Sequence, residues 1–293
     1  MARPTAIAVC LTALLIASCS AGASGSPSGS PAETRNPPRG AGELVLRYET
    51  VGGFAPQEFF LSRYPTISVY GDGTVITEGP QIAIYPGPAL PNLIATKITA
   101  AGLQRLLALA ADAGLLGPDA QYDAIGIADA GTARFTVVTD GQRHTISAYA
   151  LQESQDRGLD RAVAAQRARL RAFVSRLGDL RGSLGPGQVG AEVPYRFTAV
   201  RLFVQPAVAP ADGLVQPVVA WPLATPLASF GESIQPGEGN ALRCGVVSGS
   251  ELEMLRPLLT KANQATRWQS DGRNFSLTPR VLLPDESGCP GVE

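Results

Sequence analysis

Hydrophobic and polar positions follow two rhythms along this chain, and the same succession of rhythms occurs twice. In the first half, ELVLRYET (43–50) alternates as a strand, and TISVYGDGTVIT (66–77) alternates on both sides of Gly71-Asp72-Gly73, which predicts a hairpin. A Pro-rich apolar loop, GPQIAIYPGPALPN (79–92), and a strand, LIATKI (93–98), come next. The period then changes to that of a helix, with Thr99 as cap, Leu103, Leu106, Leu107 and Ala110 on one face, and Gly114 just past the end. The stretch 133–151 is a second hairpin around Asp140-Gly141.

The second half repeats the order: strands at 198–206 and 217–221, a Pro-rich loop, a strand at 241–247, a helix, and a hairpin around Asp271-Gly272. Ser248 and Glu251 have the spacing of a capping box, and Leu252, Leu255, Leu259 and Ala262 form the apolar face, while Pro257 predicts a kinked or shortened helix. Between the halves, Leu159, Val163, Leu170, Phe173, Leu177 and Leu180 mark a long amphipathic helix whose other face is rich in Arg. The expected fold is α+β: two related halves, each an antiparallel sheet with a helix packed on one face, plus the long helix between them. The halves are placed at 43–182 and 194–293, joined by a linker at 183–193.

The first 42 residues have a different character. Arg3 precedes an apolar run, Ala6 to Ala17, which has the length of a signal-peptide core and falls short of the roughly 20 residues a spanning helix needs. It ends in Ile16-Ala17-Ser18-Cys19. These four residues resemble the lipobox of bacterial lipoproteins, with Ile where Leu is commoner. The resemblance implies cleavage after residue 18 and a diacylglyceryl group on Cys19, which would fix the protein to the outer face of the cytoplasmic membrane. From Ser20 to Gly42 nearly every residue is Ser, Gly, Pro or Ala, and none is apolar and larger than Pro. Residues 19–42 therefore read as the lipidated Cys and a disordered tether.

Composition removes several classes of function. A net charge of −1 offers no basic field to hold nucleic acid. Arg outnumbers Lys heavily and Ala, Gly and Pro abound, the imprint of a GC-rich, actinobacterial genome. With Cys10 in the leader and Cys19 acylated, Cys244 and Cys289 are left to pair as a disulfide in an oxidising compartment. The SVYGDGTVI hairpin followed by ITAAGLQRLL resembles small secreted bacterial domains of no assigned function, and that resemblance implies no activity.

Candidate chemistry is thin. His144, the sole histidine, lies on a strand and has no G-x-S-x-G nucleophile to serve, so it reads as structural. Asp119, Asp123 and Asp129 lack the spacing of a Ca²⁺ loop. Two thiols and one His are too few for zinc, so neither a metal nor a cofactor is expected. The most suggestive residues lie in the two Pro-rich loops: Ile84 and Tyr85 in one, Trp221 and Phe230 in the other. They can form a patch for an envelope protein or cell-wall partner, or they can cover the open ends of the sheets. The expected function is a non-enzymatic binding lipoprotein, with a cell-envelope hydrolase as the alternative.

Overall fold

Both sheets grow from the hairpins that the alternation predicts. The computed structural model describes residues 34–153, 156–208, 217–235 and 242–289; the leader, Cys19 and the tether as far as residue 33 lie outside them. The first half comprises β1 (Leu44–Val51), a short helix α1 (Gln57–Ser62), β2 (Ile67–Tyr70), β3 (Thr74–Glu78), β4 (Leu93–Lys97), α2 (Ala100–Asp112), β5 (Ala120–Tyr122), β6 (Thr132–Thr139) and β7 (Gln142–Tyr149). Helices α3 (Arg161–Gly178) and α4 (Leu180–Leu184) and a two-residue strand, β8 (Val193–Pro194), lead to the second half. That half comprises β9 (Ala199–Pro206), β10 (Val218–Ala220), β11 (Glu232–Gln235), β12 (Leu242–Ser248), α5 (Gly249–Lys261), β13 (Arg267–Ser270) and β14 (Arg273–Val281).

The strands form an eight-stranded sheet, β5-β7-β6-β1-β2-β3-β4-β8, and a six-stranded sheet, β10-β13-β14-β9-β12-β11, in the expected α+β class. Each sheet is mixed, which corrects the expectation of purely antiparallel pairing: β5 runs parallel to β7 and β10 parallel to β13. Both are three-residue edge strands reached by long connections, so no hairpin dictates their direction. The order strand, helix, hairpin recurs in the two halves, but the wiring differs. In the first half the leading strand of the hairpin, β6, pairs with the opening strand β1; in the second, the trailing strand β14 pairs with β9. The tight turns are as expected, with Asp140-Gly141 and Asp271-Gly272 both left-handed (φ 54° and 75°, 50° and 72°), the conformation that matches strand twist.

Helices α2 and α3 cover the same face of the first sheet. Leu103, Leu106 and Leu107 of α2 join Leu170, Phe173 and Leu177 of α3 over Ile67, Val69, Val75 and Phe135. The long helix thus belongs to the first half's core. Nor are all of its arginines solvated: Arg167 is fully buried and donates to the Tyr122, Tyr149 and Ala150 carbonyls and to Asp156. Those carbonyls lie where β5 and β7 end, and a guanidinium satisfies several of them at once. On the second sheet, Leu252, Leu255 and Leu259 of α5 pack against Val200, Leu202, Val204, Trp268 and Leu277.

Thr99 caps α2, its hydroxyl accepting the Gly102 N–H at 3.0 Å, whereas Ser248 makes no side-chain cap bond, so the expected capping box does not form. Nor does Pro257 shorten α5, which at 13 residues equals α2. The tether also ends earlier than its composition suggests. Residues 34–42 form a strap on the first half. Arg35 and Gln104 exchange two backbone-to-side-chain bonds of 2.9 Å, while Asn36 N–H donates to the Asp140 carboxylate and Asp140 N–H to Asn36 O, both also at 2.9 Å. Hydrogen bonding rather than apolar burial orders this strap, and hydropathy cannot register that. Residues of the expected linker are likewise held, Gly190 N–H by Lys97 O and Thr99 N–H by Gln188 O.

The sheet faces opposite α2, α3 and α5 meet along a seam. Tyr70 and Ile76 alternate away from the helices and pack with Leu44, Tyr64 and Leu93 around Val281 and Leu283 at the end of β14. Polar groups of the C-terminal tail fill the rest. Asp285 accepts from the Arg47 guanidinium and the Tyr70 hydroxyl, both at 2.8 Å, Glu286 takes both arms of Arg280 at 2.5 and 2.8 Å, and Arg201 donates to Gly288 O at 2.7 Å. The expected disulfide between Cys244 and Cys289 fastens the end of this tail, with Cα atoms 5.9 Å apart.

Reduction, or the pair Cys244→Ser and Cys289→Ser, is expected to lower stability by about 2–4 kcal/mol for a loop of this size. The measurement is the unfolding free energy from urea titration, midpoint and m-value together because the uncrosslinked chain expands further on unfolding, and an unchanged free energy would count against the fastening. A second expectation concerns acid. Burial alone would raise the Glu286 carboxyl, but the Arg280 guanidinium outweighs it and holds that carboxyl below its ordinary range. A carboxyl depressed in the folded state stabilises above its unfolded pKa of ~4.3, and this contribution is lost as pH falls through the folded value. Glu286→Gln should therefore cost about 2–3 kcal/mol at pH 7 and flatten the loss of stability below about pH 4.5. Identical acid limbs in the two proteins would refute the assignment.

Candidate functional site

Strand direction sorts the connections of the first sheet to its two ends. At one end lie the strap, the Gly71-Asp72-Gly73 turn, the start of α2 and the Asp140-Gly141 turn. At the other end Val51 pairs with Thr132, Ile67 with Thr77, and Glu78 with Leu93, so the connections 52–66, 79–92 and 123–131 emerge together. These three carry the most exposed apolar side chains of the half: Phe54 is 88% exposed, Tyr85 76%, Ile82 67%, Ile125 65% and Ile84 60%. Phe59 and Phe60 on α1 are exposed as well, their rings edge to face.

Backbone hydrogen bonds hold these residues out. The connection 79–92 is closed at its base by Gly79 N–H to Asn92 O (2.8 Å) and by reciprocal bonds between Gln81 and Asn92. Its far side is clipped to the second half, where Ala89 N–H donates to Ala262 O (3.0 Å) and Gln264 N–H to Gly87 O (2.9 Å). Ile82, Ile84 and Tyr85 lie between the clips. The 52–66 connection is tied by Phe54 N–H to Asp129 O (3.1 Å) and by Arg280 to Arg63 O (3.2 Å), while Leu61 packs against the disulfide cluster.

Two adjoining hollows share Ser62 and Glu78: one of about 290 Å³ lies between the end of α1 and the 79–92 connection, and one of about 250 Å³ lies between α1, the residues that follow it as far as Thr66, and Thr50 on β1. The Glu78 side chain reaches solvent, yet the surrounding walls raise its carboxyl above the ordinary range, and no donor or cation among the described residues meets it. A larger hollow of about 530 Å³ lies at the opposite end beneath the strap, but there Gln104 is already taken up by Arg35.

The structure divides the four residues expected to contact a partner. Ile84 and Tyr85 are exposed at the apolar end. Trp221 and Phe230 do not join them. Phe230 is only 7% exposed, and Trp221 sits edge to face between Phe230 and Trp268 (5.8 and 6.1 Å) with its indole N–H on Thr225 O. Leu223 and Leu227 are buried beside them, so the second Pro-rich loop covers its own sheet. Sequence reasoning misses Phe54, Phe59, Phe60, Ile125 and Glu78. Alternation cannot find them, because they fall in connections or at a strand end, and only strand direction gathers them.

The remaining candidates serve the fold. His144 Nδ1 donates to Gly117 O at 2.9 Å, Asp119 accepts the Thr145 N–H at 2.7 Å, and Asp123 accepts from Gln121. Among the described residues no group of three or more His, Cys, Asp or Glu is placed to hold a metal ion, and no helix is long and apolar enough to cross a membrane. No known protein family, curated protein or solved structure matches the chain.

The two loops should respond oppositely to substitution. Ile84→Asp is expected to change stability by less than about 0.5 kcal/mol, since it removes no buried contact, whereas Phe230→Ala should cost about 3–5 kcal/mol. Urea unfolding of the two variants checks this, and a large loss in Ile84→Asp would mean that the exposed end is structural.

Proposed function

We propose that this protein is a lipoprotein of the cell envelope, anchored through acylated Cys19 to the outer face of the cytoplasmic membrane, and that its domain is a non-enzymatic binding module. The observation that carries the binding role is the gathering of exposed apolar side chains from three separate connections at one end of the first sheet. Large apolar side chains concentrated in one place on a protein surface mark interaction sites. The backbone clips on both sides of Ile82, Ile84 and Tyr85 favour binding further, because a loop already held in place loses little freedom when a partner docks.

Two features support the anchored arrangement. The lipobox-like Ile16-Ala17-Ser18-Cys19 supplies the site of acylation, and the disulfide suits an oxidising compartment. A catalytic role finds less support, since the sole histidine is bonded to a backbone carbonyl and the acids of the seam are taken up by arginines.

Cys19→Ala should abolish labelling by a fatty-acid probe and release the protein from the membrane fraction. Ile84→Asp should keep both the label and the membrane fraction while losing at least one envelope component that co-purifies with the wild-type protein. Persistent labelling of Cys19→Ala would defeat the anchor, and an unchanged set of co-purifying components in Ile84→Asp would defeat the binding role.

A further inference from the structure

The charge at the apolar end says what kind of partner it fits. Glu78, Asp123 and Asp129 border the three connections, while the bases Arg63 and Arg280 beside them are both engaged within the protein. Arg63 donates to Gly52 O at 3.3 Å and its guanidinium lies 5.1 Å from the centre of the Phe59 ring, and Arg280 is paired with Glu286. The end is therefore apolar and acidic together. An anionic bilayer would be repelled by it, and an apolar surface without charge would leave Glu78 desolvated and unpaired. A partner that brings its own cation would satisfy both requirements.

The hollows give this requirement a position. Glu78 stands where they adjoin, Phe59 belongs to one and Ile82 and Ile84 to the other. We infer that this end docks a polypeptide segment in which a basic side chain is flanked by apolar ones, the base meeting Glu78 and its neighbours entering the hollows on either side. This inference rests on the reading of the domain as a binding module. The apolar contacts supply most of the attraction, and the carboxylate sets the register and rejects acidic segments.

The test uses the full chain carrying Cys19→Ser, so that acylation plays no part, and two fluorescent peptides: Leu-Ile-Arg-Ile-Leu, blocked at both ends, and the same peptide with Glu in place of Arg. Fluorescence anisotropy should show saturable binding of the Arg peptide and about tenfold or weaker binding of the Glu peptide. Glu78→Gln should weaken the Arg peptide about threefold and leave a norleucine-centred control no weaker. Ile84→Asp should weaken both peptides, the norleucine one at least as much as the Arg one, because the new carboxylate favours only the cation. Urea midpoints of both variants should match the wild-type protein, so a loss of binding is not a loss of fold.

No saturable binding of the Arg peptide, equal binding of the Arg and Glu peptides, or an Arg peptide indifferent to Glu78→Gln would overturn the inference. So would sedimentation with phosphatidylglycerol vesicles that Ile84→Asp abolishes, since that outcome assigns the end to a lipid surface. If Ile84→Asp still removes an envelope protein from the native complex while the peptides fail to discriminate, the chemistry assigned to the partner is wrong and the binding role stands.

Discussion

The fold depends on one short run of chain, residues 281–289, that both sheets hold at once. Each sheet has one face covered by its long helix or helices, and the opposite face, bare but for the short α1, could not stay open to water with Tyr70, Ile76 and Phe203 on it. Val281 and Leu283 bring apolar surface to the gap, and Asp285 and Glu286 bring acceptors for Arg47 and Arg280. Charges removed from water in this way stabilise only when every partner is present, and so they fix position more than they add attraction. Tyr64 shows how closely the seam is filled: its ring lies under the Arg280 guanidinium at 4.7 Å, and its hydroxyl is enclosed without a well-formed hydrogen bond.

The apolar end inherits its form from this seam. Helix α1 is too short to persist alone; it is ordered because Leu61 reaches the disulfide cluster and Arg280, already fixed by Glu286, also holds the Arg63 carbonyl. The 79–92 connection is tied to the second half through Gly87 and Ala89 in the same manner. Left free, Ile82, Ile84 and Tyr85 would gain about 25 cal/mol per Å² by folding back onto apolar surface. The clips on both sides deny them that choice, so the fastening of the two sheets and the exposure of the end have one cause.

Periodicity makes the local elements legible and leaves the long-range ones dark. The three hairpins, the apolar faces of α2 and α5 and the disulfide follow from spacing and compartment, because each is decided within a few residues or by elimination. The parallel edge strands are not legible, since the residues at Val218–Ala220 suit a strand but do not say which neighbour it joins or in which direction. Arg167 illustrates a second limit: it falls at the margin of the apolar face of α3, where its charge points to solvent, and only the carbonyls left open at the ends of β5 and β7 draw it inward. The strap at 34–42 illustrates a third, order produced by hydrogen bonds in a segment whose side chains bury little. Of the candidate site, Ile84 and Tyr85 are legible as unusual loop residues; Phe54, Ile125 and Glu78 are not, because three connections distant in sequence converge only after the strands are paired.

The opposite fates of the two Pro-rich loops come from what covers the strand before each helix. In the second half, the chain leaving Phe230 continues directly into β11, which pairs with the open edge of β12. Gly245 on β12 leaves room for the Phe230 ring, and any Cβ there would collide with it. The loop is thereby drawn over its own sheet and its aromatics enter the core. In the first half the matching edge of β4 is already taken: β8 pairs with Ile94 and Ala95, and Thr96 is bonded to the Gly190 and Ala191 carbonyls. The chain between the halves thus occupies the place that the 79–92 connection would otherwise fill. Displaced from the edge and clipped to the second half, that connection can only present its apolar residues outward, which makes the exposed end a consequence of joining the two halves with so short and so well-fastened a linker.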